Sequence, residues 1–252
     1  MTYLFIILIG LCVGSFLNVV IFRLDKKDGI FWGRSECTHC NHNLKWYDLI
    51  PVLSFLTLKA KCRYCKHKIS FTYPFVEIVA ALSFFAYFYF RNNYQFSAIF
   101  DLFIISGLII IIFSDLTALW IPDKIIFPLI IVSFVYGIAA PDFLNRLLVA
   151  LAISSIFAII YLASRGQWMG FGDVKLVFLM GLLLGYPLGI LAVLLSVWAA
   201  ALVGIALITV KKATLKTALP LGTFLASSSI LFIILSDLLP NILSTAIFKF
   251  WP

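Results

Sequence analysis

The sequence predicts an all-α polytopic membrane protein of seven or eight transmembrane helices that carries one small polar loop domain. Three observations predict it. Hydrophobic residues make up 63% of the 252 and charged residues only 12%, against about 25% charged in a soluble domain; mean hydropathy is +1.10. Apolar runs near the roughly 20 residues that cross a bilayer recur along the chain. Charge and turn-forming residues concentrate in a single insert near the start.

The runs lie near 3–22, 72–90, 96–113, 122–140, 146–163, 174–186, 187–210 and 218–236. No basic segment precedes the first, and no small-residue cleavage site falls before Arg23, so it reads as a membrane helix and not a cleaved signal peptide. The expected organisation is a first transmembrane helix at 1–22, a cytoplasmic loop at 23–70, a transmembrane core at 71–240 and a short external tail at 241–252.

Lys and Arg are retained on the cytoplasmic side of short loops. With the N-terminus outside, the stretch Arg23 to Lys68 lies inside and holds ten of the 19 basic residues; Lys124, Arg165, Lys175, Lys211, Lys212 and Lys216 follow at inner helix ends. Arg91, Arg146 and Lys249 remain outside. The +8 net charge is thereby a topogenic signal, with membrane lipid, anionic lipid above all, as the partner it implies. No nucleic acid partner is needed to explain it.

The loop holds Cys37-x-x-Cys40 and Cys62-x-x-Cys65, separated by 21 residues. That spacing is close to a two-knuckle zinc site, in which each short turn supplies two thiolates to a tetrahedral ion. So small a loop has little core, and a structural Zn²⁺ would supply much of its folding energy. A pair of disulfides is the alternative, disfavoured on a reducing cytoplasmic face. His39, His42 and His67 lie beside the cysteines and read as solvated, and Cys12 as a small buried hydrophobe of the first helix.

Asp101, Asp142 and Asp237 fall near outer helix ends, where solvation accounts for them. The predicted topology instead gathers Asp115, Asp123 and Asp173 at the inner face. Asp123 and Asp173 open helices, and capping alone can explain them. Asp115 closes one, where the helix dipole opposes a carboxylate; an ionisable group so placed is a functional candidate. Two carboxylates brought together do not both ionise easily, so one keeps a proton and the other acts as a base on water. Asp115 and Asp173 are the candidate catalytic pair. Gly170 and Gly172 flank the second acid and are expected to permit close backbone approach and conformations that other residues resist.

Six segments in order resemble the type IV prepilin peptidase family: GSFLNVVIFRL at 14–24, the cysteine loop carrying DLIPVLSFL at 48–56, KCRYCKHKIS running into YPFVE at 73–77, DLTALWIPD at 115–123, GFGDVKL at 170–176 and LPLGTFL at 219–225. The resemblance implies an intramembrane aspartic peptidase of the bacterial cytoplasmic (inner) membrane. Its catalytic residues would be Asp115 and Asp173, with Asp123 an accessory acid. Its substrate would be a prepilin or pseudopilin, whose short basic leader is cut at the cytoplasmic face. It further implies N-methylation of the new amino terminus with S-adenosylmethionine, an activity the cysteine loop accompanies. One departure is visible: Thr38 stands where the family usually has Pro, a change that loosens the turn without removing a ligand.

Asn18 and Arg23 are candidates for substrate or methyl-donor binding, beside the ordinary snorkelling role of an Arg at a helix end. Glu77 is expected to find a polar partner, Lys175 or Arg23, or else to touch substrate. Lys175 either anchors its helix or tunes the aspartate pair. The competing function is a polytopic ion or proton-coupled transporter with a regulatory zinc loop, whose acids would line a path near the midplane. A methyltransferase without proteolysis, and a preflagellin- or presenilin-like enzyme, are further alternatives; the cysteine loop argues against the last.

Overall fold

A computed structural model describes residues 1–24, 34–91, 97–212, 214 and 217–238. Asp25, Asp28, Lys216, Lys249 and the expected tail at 241–252 lie outside the described residues. The chain divides into two compact units, 1–110 and 111–252.

In the first unit α1 (Thr2–Arg23) packs against α3 (Thr72–Arg91), and α4 (Ser97–Ala118) begins. Between α1 and α3 runs the loop, with a 3-10 turn at Trp46–Asp48 and a five-residue helix, α2 (Leu53–Thr57). Two small residues spaced i, i+4 let α1 meet α3 backbone to backbone. A Cβ on Gly10 would stand 2.6 Å from the Ala81 Cα, and one on Gly14 2.6 Å from the Glu77 Cα. Below this contact the Asn18 amide donates to the Tyr73 carbonyl at 2.9 Å, and Phe22 stacks on Tyr73 at 4.4 Å. Cys12 is exposed, not buried as its sequence context suggests; two residues on from Gly10, it points away from the face that meets α3. Tyr87, in the aromatic run at 84–90, is buried and donates to Asp101 Oδ2, which Arg91 also holds, each at 2.7 Å.

The second unit holds the end of α4, α5 (Asp123–Ile138), α6 (Phe143–Ala163), α7 (Phe171–Leu184), α8 (Leu188–Thr209) and α9 (Leu221–Leu235). Its centre is α7, which packs on α5, α6, α8 and α9. Gly181 admits the backbone of α6 at Ala150. Arg146 and Asn145 of α6 close the far end of α7, donating to the Leu183 carbonyl at 2.9 Å and accepting the Tyr186 N–H at 2.8 Å; the orphan groups of a helix end are thus met inside the bundle.

All eight apolar runs are helices, and the break at 185–187 separates the sixth from the seventh. Five of them, α1, α3, α4, α6 and α8, are long and apolar enough to cross a membrane. Helices α5, α7 and α9, of 16, 14 and 15 residues, reach only about 21–24 Å at 1.5 Å per residue.

Candidate active site and metal centre

Glu77, Asp115 and Asp173 are the buried acids among the described residues, at 7%, 5% and 8% exposure. Two of them belong to the second unit. Asp115 sits in the last turn of α4, where its own helix dipole is unfavourable. The first turn of α9 compensates: the Thr223 N–H donates to Asp115 Oδ2 at 2.6 Å and the Thr223 hydroxyl at 3.0 Å. A helix N-terminus supplies unpaired N–H groups and the positive end of a dipole, a natural seat for an anion.

Ile121, in the link from α4 to α5, is gripped from two sides. A Cβ on Gly172 would stand 2.9 Å from the Ile121 Cβ, and one on Gly222 2.9 Å from its Cδ1. The glycines bring the starts of α7 and α9 to the end of α4 through this one side chain. Asp173, in the first turn of α7, accepts the Gly170 N–H at 3.2 Å. Gly172, beside Asp173, and Gly222, against Asp115 Oδ2, both close on Ile121 and so bring the helix ends that carry the two acids together. Asp123 opens α5 and pairs with Lys175 of α7, whose ammonium also lies over the rings of Phe127 and Phe171 at 5.0 and 5.2 Å.

Several expectations change. Glu77 belongs to the first unit, and neither Lys175 nor Arg23 is its partner: Glu77 Oε2 accepts the Val52 N–H at 2.8 Å, the residue that caps α2. Lys175 is committed to Asp123 rather than to the aspartate pair. Gly170 has φ −77 and Gly172 is helical, so neither uses a glycine-only conformation; the missing Cβ of Gly172 serves Ile121. Thr223, Gly222 and Ile121 escaped the sequence reading. For Gly222 and Thr223 the signal was LPLGTFL itself, in which a Pro followed by an apolar run announces the start of a helix.

In the loop the four cysteine sulfurs lie within 4.8 Å of one another, and Cys37 Sγ is 3.9 Å from Cys65 Sγ. An ion held at about 2.3 Å by four thiolates spaces them by about 3.8 Å, so the set fits a tetrahedral metal. The two halves repeat each other. Bridges join Glu36 to Asn43 and Lys61 to Lys68 around each Cys-x-x-Cys turn. Asn41 and Lys66, one past each second cysteine, take φ 52 and 59. The rings cross-pair: His39 stacks on His67 at 4.1 Å, and His42 meets Tyr64 at 3.7 Å. Burial pushes the Cys37 thiol up, but the backbone N–H groups of Cys40 and His39 outweigh it and bring it down to about 7, toward the thiolate a metal takes. Asp48 takes Arg63 Nε at 2.7 Å, Tyr64 hydroxyl at 3.3 Å and the Lys45 N–H at 3.2 Å, tying the second turn down.

Asn18 is 4% exposed and its Oδ1 is buried without a hydrogen-bond partner. Arg23 donates to the Arg34 carbonyl at 2.8 Å.

Residues 8–91 match the Bacterial Peptidase A24 N-terminal domain and residues 102–205 the Type IV leader peptidase family. A prepilin leader peptidase/N-methyltransferase of Pseudomonas putida is 31% identical, covering 91% of this chain and 89% of its own. One from Bacillus subtilis is 32% identical, covering 90% and 92%, and one from Legionella pneumophila 30%, covering 95% and 93%. No solved structure matches the chain. With both halves matched in order and relatives aligned over nearly its whole length, the chain belongs to the type IV leader peptidase family.

Proposed function

We propose that this chain is an intramembrane aspartic endopeptidase that cuts the short basic leader from type IV prepilins or pseudopilins at the cytoplasmic face of the inner membrane, then N-methylates the new amino terminus. The N-terminus is taken to lie outside, which puts Asp115 and Asp173 at the inner ends of their helices. The observation that carries the reading is two buried acids whose helix ends meet through Ile121, on which Gly172 beside Asp173 and Gly222 against Asp115 both close.

One carboxylate takes a proton from water, which attacks the scissile carbonyl carbon; the other carboxyl gives its proton to the carbonyl oxygen. The tetrahedral intermediate collapses as the first carboxyl passes its proton to the departing nitrogen and the second takes one back from the hydroxyl that becomes the new carbonyl, so both acids end as they began. Asp123 and Lys175 hold the inner ends of α5 and α7 together beside this pair. A transporter would carry its acids along a midplane path, whereas these occupy helix ends.

In the loop, Zn²⁺ is the ion we assign to Cys37, Cys40, Cys62 and Cys65, in a structural role. Bound S-adenosylmethionine supplies an electrophilic methyl group. Asn18, through its unpartnered Oδ1, and Arg23 are the residues that would hold its polar groups, the first as a hydrogen-bond acceptor and the second as a cation.

The test is co-expression of a prepilin with the wild type, Asp115→Asn or Asp173→Asn, read by gel mobility and by mass spectrometry of the product's amino terminus. Folded variants that leave the leader attached support the pair, and a methyl group on the wild-type product supports the second activity. Cleavage at the wild-type rate by either variant would rule the mechanism out.

A further inference from the structure

We infer that Thr223 is a positioning residue that keeps Asp115 as the charged base and leaves Asp173 to carry the proton; this rests on the paired-aspartate reading above. Asp115 Oδ2 receives two hydrogen bonds from this one residue, the N–H at 2.6 Å and the hydroxyl at 3.0 Å. The hydroxyl has a single proton. Its other acceptor, the Ile112 carbonyl, is farther, at 3.4 Å, and a charged acceptor makes the stronger bond. Gly222 allows the approach, since a Cβ there would stand 3.1 Å from Asp115 Oδ2.

Asp173 is held less well, by one N–H at 3.2 Å from Gly170. Hydrogen bonds donated to a carboxylate favour its charged form, and the neighbour that receives fewer of them takes up the shared proton. On the elements around the pair, Asp123 of α5 and Lys175 of α7 neutralise each other, while the first turn of α9, Leu221 to Thr223, carries no charged residue. The dipoles of α4 and α7 oppose charge on Asp115 and favour it on Asp173, so the asymmetry rests on the two bonds from Thr223 at the start of α9. Asp115 is the base toward water and Asp173 the acid toward the carbonyl oxygen.

The test measures kcat and KM for leader removal across pH with the full chain in lipid vesicles, for the wild type, Thr223→Val, Thr223→Ser and Asp115→Asn. Valine keeps the shape and the N–H and removes only the hydroxyl; Thr223→Ala gives the same readout should the branched side chain prevent folding. The expected result is a roughly tenfold fall in kcat with KM little changed. The acid limb of the profile should move to higher pH, because a base with one donor fewer ionises less readily. Serine should restore both. Wild-type kcat and an unmoved profile in Thr223→Val, or equal damage in Thr223→Ser, would overturn the role. Asp115→Asn separates the two failures: wild-type cleavage by that variant removes the paired-aspartate reading itself, whereas an inactive Asp115→Asn beside an unaffected Thr223→Val removes only the part given to Thr223.

Discussion

At the scale of single residues, the proposed mechanism requires two carboxylates to act as a unit. Asp115→Asn and Asp173→Asn should each lower leader cleavage about a thousandfold or more, and the double variant should be no worse than either alone; single-turnover assays would show this. Asp48 plays a structural part in the loop. Burial pushes its carboxyl up, but the Arg63 guanidinium, the Lys45 N–H and the Tyr64 hydroxyl more than offset this and hold it below the usual carboxylate range. A depressed folded value means that its contribution is present above the ordinary carboxylate range and lost as pH falls through the folded value. Asp48→Asn should therefore weaken metal retention at neutral pH, by about tenfold, in a chelator competition. Equal retention by variant and wild type would show that the tie to Arg63 is dispensable. The acids were legible from sequence because carboxylates are costly inside an apolar chain. Thr223 was not, because a threonine in an apolar run looks like any other until the helix it begins is placed against Asp115.

Among elements, the pairing of α1 with α3 depends on Gly10 and Gly14, four residues apart and facing Ala81 and Glu77. Any side chain there must push two backbones apart. Gly14→Leu should destabilise the first unit by about 1–3 kcal/mol or more, seen as lower thermal stability in detergent, whereas Leu11→Ala on the same helix should cost less. The existence and order of the eight long helices were legible in hydropathy alone, with each boundary within five residues, whereas the short α2 of the loop was not. What hydropathy left open was how far each helix crosses. Short α7, with Asp173 and Lys175 in its first two turns, is central to its unit because α5, α6, α8 and α9 all pack on it, a property of tertiary packing and not of its own sequence. Glu77 illustrates the same limit: its depth pointed to a partner, yet the partner is a backbone N–H of the loop, which no pattern of charges announces.

For the molecule as a whole, the cysteine set and the aspartate pair belong to different units. Metal removal should accordingly unfold the loop and reduce methylation before it reduces leader cleavage, measured on one reaction mixture by mass spectrometry; loss of both in step would contradict this division. The placement of Thr223 carries one more consequence, for the time at which activity arises. Asp115 and Asp173 are both made before the chain reaches α9, and ribosomes add about 5–20 residues per second. For some seconds of synthesis the growing chain has both acids but not the helix start that seats the first of them. On the proposed mechanism, the chain should therefore be inactive until α9 is in place. A chain stopped before Leu219 should be inserted and inert, and a separately expressed segment carrying α9 should restore cleavage.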